Sequence, residues 1–379
     1  MQENIVLEFK RLYKSIPQIY RSPGRINLIG EHTDYNNGFV LPASVNKAIY
    51  FAISPNSLES YRLYAFDYKE EYQTTVKNVV KSDVHWANYL LGIIDQMKKA
   101  GRNIPGFDCV FGGNVPLGAG MSSSAAIECG LAYALNDIFQ LDFTRLELVK
   151  ISQMAEHEFA GVQCGIMDQF AVMYGKKDQV ILLDCRSLDY DYFPFNMDNH
   201  LLILVNTGVK HSLASSEYNV RRNECNQGVK ILQKYYSEIE SLRDVSLAML
   251  NEHQDKLPEK ISRRCFYVIE ENQRLKEACN KLSESDFNGF GKLMFETHEG
   301  LRDKYEVSCS ELDHLVEISK NMEGVLGSRM MGGGFGGCTL NLIERDKLNE
   351  FKDSIISNYK TPEGKIPQII EVQVENGTS

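Results

Sequence analysis

The stretch Pro116-Leu117-Gly118-Ala119-Gly120-Met121-Ser122-Ser123-Ser124-Ala125-Ala126 constrains this chain more than any other. Gly118 and Gly120 permit backbone turns that a side chain would block. Ser122, Ser123 and Ser124 bring three hydroxyls to the start of an apolar, alanine-rich segment that reads as a helix to about Phe139. The first amides of a helix lack internal partners, and the helix dipole adds positive character there. Gly118, Ala119, Gly120, Met121, Ser122, Ser123 and Ser124 are therefore expected to cradle a phosphate. The competing reading is an ordinary capped helix after a turn. No Gly-Lys-Ser/Thr closes the loop, so it is not the usual P-loop, nor is it the dinucleotide fingerprint.

A chain of 379 residues with 43% hydrophobic content has ample material for two domains. The Asp- and Asn-rich stretch 185–200 is the best candidate connection between them, which places the halves at 1–195 and 196–379. A formal charge of -10 and the absence of a basic run argue against a nucleic-acid partner or an anionic membrane surface. Nine cysteines stand singly, without Cys-x-x-Cys spacing, as reduced thiols do in a cytoplasmic protein. Met1 to Lys14 carry no signal-peptide core, and no apolar run is long enough to span a bilayer.

Periodicity predicts an amphipathic helix over 1–15, strands over 39–53, a hairpin over 62–75 and a helix over 86–99. A strand is expected at 107–113, leading into the glycine loop, and a helix at 143–159. Strands at 180–184 and 201–206 precede long helical segments at 211–242, 263–282, 286–305 and 310–321. A strand at 339–343, a helix at 345–359 and a strand at 366–374 finish the chain.

Three further stretches carry polar groups in informative settings. Arg21 to Gly38 reads as a Pro-Gly turn, a short strand and a polar loop on which Glu31, His32 and Asp34 cluster, as for a metal or a polyhydroxylated ligand, or simply as a solvated face. Asp168 lies among Ile166, Met167, Phe170, Val172 and Met173, where a carboxylate must be paired, hydrogen-bonded or shifted in pKa. Gly332, Gly333, Gly334, Gly336 and Gly337 form a second glycine loop suited to close approach by another loop or a ligand. Trp86, the only tryptophan, reads from position alone as core.

Together these motifs resemble the GHMP kinases (galactokinase, homoserine, mevalonate and phosphomevalonate kinases). Pro23 to Tyr35 is similar to the galactokinase signature, Pro116 to Ala126 to the family's ATP loop, and Gly332 to Gly337 to its third motif. Cys164 to Phe170 and His211 to Tyr218 resemble galactokinases in particular. The resemblance runs from about residue 20 to 345 with the motifs in family order. It implies an α+β fold, with an N-terminal half like ribosomal protein S5 domain 2 and a ferredoxin-like C-terminal half.

It also implies transfer of the γ-phosphoryl of ATP, with Mg²⁺, to the 1-hydroxyl of galactose in a cleft between the halves, by a cytoplasmic protein expected to be a monomer. By the same resemblance Asp168 is the catalytic carboxylate and Arg25 its charged neighbour. Glu31, His32, Thr33, Asp34, Gly165, Asp168 and Tyr218 match the sugar contacts. Ser124 and Glu156 match the Mg²⁺ pair, and Trp86 matches an aromatic beside adenine. An N-acetylgalactosamine kinase shares all of these motifs. An inactive sugar- and ATP-sensing regulator is the further alternative, against which the complete Ser122–Ala126 loop speaks. Ser22 stands where relatives commonly have Ala, and Asn36-Asn37-Gly38 also varies among them; neither position carries chemistry.

Overall fold

Alternating side chains on one long strand organise the first half. In the computed structural model, which describes residues 1–116, 118–209 and 214–379 and all their side chains except those of 214–216, that strand is β3 (Pro42–Pro55). It lies between β1 (Gln18–Asn27) and β6 (Phe107–Gly113), antiparallel to both. β4 (Ser60–Ala65) runs parallel to β6, and β5 (Glu70–Thr75) closes the edge as the expected hairpin. The sheet order is β1-β3-β6-β4-β5.

Because neighbouring strand residues face opposite ways, Ala52 and Val110 meet Ile5 and Phe9 of helix α1 (Gln2–Tyr13) on one face. Phe51 and Phe111 face the main core on the other. That face is covered by α2 (His85–Lys99), α3 (Ser123–Ile138), α4 (Arg145–Ala155) and α5 (Met167–Tyr174). A small sheet sits beside it, with β7 (Gln179–Asp184) between β2 (Phe39–Val40) and β8 (Tyr190–Pro194).

In the second half, β9 (His200–Asn206), β10 (Val325–Met330), β11 (Cys338–Glu344) and β12 (Ile369–Val372) form an antiparallel sheet in the order β10-β11-β9-β12. Numbered within this half the order is 2-3-1-4, the ferredoxin-like arrangement. Helices α6 (Ala214–Leu232), α7 (Leu247–Glu252), α8 (Glu259–Ser283), α9 (Phe287–Gly300) and α10 (Ser310–Lys320) lie between β9 and β10. α11 (Leu348–Asn358) joins β11 to β12. Leu201, Ile203 and Val205 pack under α10 and α11, whereas Leu202 and Leu204 face the core shared with the first half. Among the described residues no helix is long and apolar enough to cross a membrane.

Several boundaries differ from expectation. Pro23-Gly24 is not a turn: it lies inside β1, where pairing to β3 shifts register between Pro23 and Arg25 and re-aims the arginine. The helix expected over 143–159 ends at Ala155 and continues as a π turn, Glu156–Ala160; that over 286–305 likewise ends in a π turn, Leu301–Tyr305. The segment 211–242 is helical only from Ala214 to Leu232, with 211–213 outside the described residues. The stretch 185–200 is not wholly a connection, since β8 occupies its middle. The last residues cross back to the first half: the Ser379 and Arg21 backbones exchange two hydrogen bonds, at 2.8 and 3.0 Å.

Candidate active site

Three chain segments far apart in sequence meet at Arg25. The bulged end of β1 turns its guanidinium toward the first turn of α5, where Nε and Nη2 donate to Asp168 Oδ1 and Oδ2 at 2.8 and 2.9 Å. Nη1 donates to the Gly120 carbonyl at 2.5 Å, so the same side chain also holds the glycine loop. Burial works against the Arg25 charge, but Asp168 and then Glu31 outweigh it and its pKa stands raised. Ser122 starts α3 in a left-handed conformation (φ 53°) and makes no side-chain cap bond. The capping role of the competing reading is not filled by Ser122, because its Oγ donates instead to Asp168 Oδ2. Asp168 thus has both oxygens engaged while its side chain remains 23% exposed to the cavity.

That cavity, of about 210 Å³, is lined by Arg25, Glu31, His32, Asp34, Asp168, Tyr218 and neighbouring residues. Most of the expected sugar contacts therefore meet in one place. Gly165, next to the cavity-lining Cys164, packs on Asp34: a Cβ there would come within 1.9 Å of Asp34 Oδ2. Asp34 is crowded by this loop. Burial first, and the Asp168 charge second, push its carboxyl up to about 7. His32 is pushed down to about 4 by burial and is neutral near pH 7.

Thr33 does not join this group. Its hydroxyl reaches the Gly30 carbonyl at 2.9 Å and the Phe39 carbonyl at 2.5 Å, bracing the loop from behind. Glu31 has a second task that its type alone does not reveal. Its Oε1 accepts from Arg329 Nη1 and Nη2, each at 3.0 Å, and from the Gly332 amide at 2.9 Å. The third glycine motif is thereby clasped to the sugar loop. It also lies against the first glycine loop, where a Cβ on Gly120 would meet the Met331 carbonyl at 3.0 Å. Close approach of loop to loop accounts for part of the glycine content of this motif.

Ser124 and Glu156 are adjacent as expected, with Oγ donating to Oε1 at 2.9 Å. Burial, then Asp168, push the Glu156 carboxyl up to about 6. Two hard oxygens at the start of α3 fit Mg²⁺, which takes one or two protein ligands and completes its shell with phosphate oxygens and water. Among the described residues no group of three or more His, Cys, Asp or Glu could hold a metal by itself. A second cavity, of about 300 Å³, is lined by Ser123 together with Trp86, Tyr89 and Phe111. The Trp86 indole is 8% exposed, and its N–H donates to Glu70 Oε2 at 2.9 Å. It is at once a core residue and a wall of the cavity beside the glycine loop.

Sequence reasoning missed Arg329, Cys164 and Met167. A charged residue inside an otherwise apolar strand was the available signal for Arg329. Cys164 and Met167 are ordinary apolar neighbours of Gly165 and Asp168, and only the fold turns them to the cavity.

With this geometry in view, the chain compares closely with known proteins. The GHMP kinases N terminal domain model matches residues 88–176, the GHMP kinases C terminal model matches 275–361, and the galactokinase galactose-binding signature matches 7–55. A galactokinase of Clostridium acetobutylicum is 42% identical over 376 residues, covering 97% of this chain and 95% of that protein. One of Thermotoga maritima is 41% identical over 340 residues, covering 90% and 93%. The crystal structure of Lactococcus lactis galactokinase complexed with galactose superposes with a TM-score of 0.95 at 33% identity, covering 100% and 99% of the two chains. Methanococcus jannaschii mevalonate kinase shares the fold, with a TM-score of 0.67 at 18% identity. The chain belongs to the GHMP kinases and, within them, to the galactokinase family.

Proposed function

We propose that this protein transfers the γ-phosphoryl of ATP to the anomeric 1-hydroxyl of α-D-galactose, giving galactose 1-phosphate. The observation that carries this reading is the two-pronged Arg25–Asp168 pair, which faces the sugar-loop cavity and is tied to the glycine loop through Gly120 and Ser122. Galactose occupies the cavity, with its hydroxyls donating to Glu31 and Asp34, because carboxylates accept from adjacent O–H groups. Asp168 accepts the hydrogen of the 1-hydroxyl and aims its oxygen at the phosphorus. Arg25 then stabilises the charge spread over the transferring group. A loose phosphoryl-transfer transition state asks for positioning and charge more than for a strong base, which suits a carboxylate already bound to a guanidinium.

The amides from Gly118 to Ser124 hold the ATP phosphates at the start of α3, and adenine lies against Trp86. Ser124 and Glu156 hold Mg²⁺, which when bound neutralises phosphate charge. The halves, 1–195 and 196–379, act as the two walls of the cleft. Every group invoked lies on one chain, so a monomer suffices. All nine cysteines are free, in keeping with work in the reducing cytoplasm.

The test is a mass-spectrometric product assay with ATP, Mg²⁺ and either galactose or N-acetylgalactosamine. Galactose 1-phosphate is expected, with kcat/KM favouring galactose. Asp168→Asn should lower kcat by about 10²–10⁴ in a protein that remains folded at the assay temperature. Near-normal turnover in that variant would remove Asp168 from the mechanism, and a preference for the N-acetylated sugar would reassign the substrate.

A further inference from the structure

The buried face of His32, which the proposed reaction leaves without explanation, ends a chain of hydrogen-bonding groups. His32 Nδ1 lies 2.8 Å from the Tyr35 hydroxyl, that hydroxyl 2.7 Å from the Tyr305 hydroxyl, and the latter 3.2 Å from Cys225 Sγ. His32 and Tyr35 come from the sugar loop, Tyr305 from the π turn after α9, and Cys225 from α6. His32, Tyr305 and Cys225 are buried and Tyr35 is half-buried, and the His32 ring packs on Tyr305 at 4.9 Å and on the neighbouring Tyr218 at 5.4 Å between centroids. At its other end, His32 Nε2 is buried beside the Gly333 backbone, and the residue lines the sugar cavity.

Each hydroxyl has a single proton, so the chain has only two orientations. In one, Cys225 S–H donates to Tyr305, Tyr305 to Tyr35, and Tyr35 to His32 Nδ1, which leaves the imidazole proton on Nε2. In the other, every donor reverses and Nε2 presents a bare lone pair. The cavity decides between them. Glu31 and Asp168 line it as hydrogen-bond acceptors, so a bare lone pair on Nε2 would add a further acceptor to a wall that already has them.

We propose that Tyr35 and Tyr305 are positioning residues that hold His32 as the Nε2–H tautomer, so that it meets the substrate as a hydrogen-bond donor. The ligand class follows. Beside carboxylates that accept from hydroxyls, His32 supplies a complementary donor to one oxygen of a polyhydroxylated ligand. A site built this way rejects analogues lacking that oxygen more strongly than one built of apolar walls. The inference rests on the reading of this cavity as the sugar site. It adds that recognition at this wall is governed from the second half of the chain, through a residue 270 positions from Tyr35.

The test has two arms. Long-range ¹H–¹⁵N correlations of ¹⁵N-histidine protein without ligand, with His32 assigned through His32→Gln, report which ring nitrogen carries the proton. The Nε2–H pattern is expected, and the Nδ1–H pattern would overturn the proposal. This arm does not depend on the identity of the sugar: if galactose proved not to be a substrate, the proposed function would fall while the tautomer result stood.

In the second arm Tyr35→Phe and Tyr305→Phe keep the packed rings and remove only the hydroxyls. Both are expected to raise KM for galactose about tenfold, with KM for ATP unchanged and kcat within about twofold. Both should also mix the two tautomers in the spectrum. Unchanged galactose KM in both variants, with a folded spectrum, would overturn the role assigned to the relay.

Discussion

Asp34 is a carboxyl that the folded protein holds at the expense of its own stability. Burial lifts it to about 7 from a reference of 3.8. Between those values the folded state holds a proton that the unfolded chain has released, so stability falls as pH rises through the window. Glu156, lifted to about 6 from 4.5, acts in the same direction over a narrower range. Asp34→Asn removes the titration and keeps the size of the side chain. Its melting temperature should exceed that of the wild type by a few degrees at about pH 8, with the gap closing towards about pH 5, while galactose affinity collapses. Thermal melts across that range check this, and a gap that does not change with pH would show that the Asp34 carboxyl is not strained. The residue is costly because burial and the neighbouring Asp168 charge both oppose its ionised form.

At the scale of elements, the clasp between the sugar loop and the end of β10 is the joint most exposed to mutation. Arg329 is fully buried and donates to the Leu28 carbonyl at 2.9 Å and the Met330 carbonyl at 2.7 Å, as well as to Asn27 and Glu31. Arg329→Met leaves Glu31 charged and buried without its cation, and should cost about 3–5 kcal/mol. Adding Glu31→Gln should recover part of that loss, because the stranded charge is then gone. Denaturant titration of both variants, compared with Glu31→Gln alone, measures the coupling, and additive effects would mean that the clasp carries no joint energy.

The same joint marks how far the sequence could be read. Glu31 and the glycine run 332–337 were each visible as local signals: a polar cluster on a loop, and a backbone built for close approach. Their meeting was not, because nothing within a window of residues encodes a contact across 298 positions. Pro23-Gly24 misled for a related reason. The local turn signal is real, but pairing with β3 holds the segment extended as a bulge. Ser122 looked like a helix cap by position, and only the arrival of α5 gives its hydroxyl a better acceptor in Asp168. Helices with long apolar stripes, such as α2 and α8, were legible because their burial follows their own periodicity. The π turns at 156–160 and 301–305 were not, because an i→i+5 turn changes the register of a helix without a composition of its own.

For the whole molecule, the question is whether two halves with separate sheets melt separately. The core argues that they do not. One hydrophobic cluster joins Ile29, Leu41 and Phe170 to Leu275, Phe290 and Leu340, so neither half can bury its apolar face alone. α8 also laces the sugar loop directly. Glu271 accepts the Gly30 amide at 2.8 Å, Asn272 accepts the Phe39 amide at 2.9 Å, and Tyr267 donates to the Glu31 carbonyl at 3.0 Å. Opening the second half would strip the loop of these partners and leave its amides unpaired. The protein should therefore unfold as one cooperative unit, unusual for a chain of this length. Calorimetry should show a single peak with a van't Hoff enthalpy close to the calorimetric one. Galactose at about a hundred times its Kd should move the whole peak upward, adding about 2.7 kcal/mol to the folded state. Two resolved peaks, or a galactose shift confined to one of them, would mean that the shared cluster does not couple the halves and that the sugar loop is held by the first half alone.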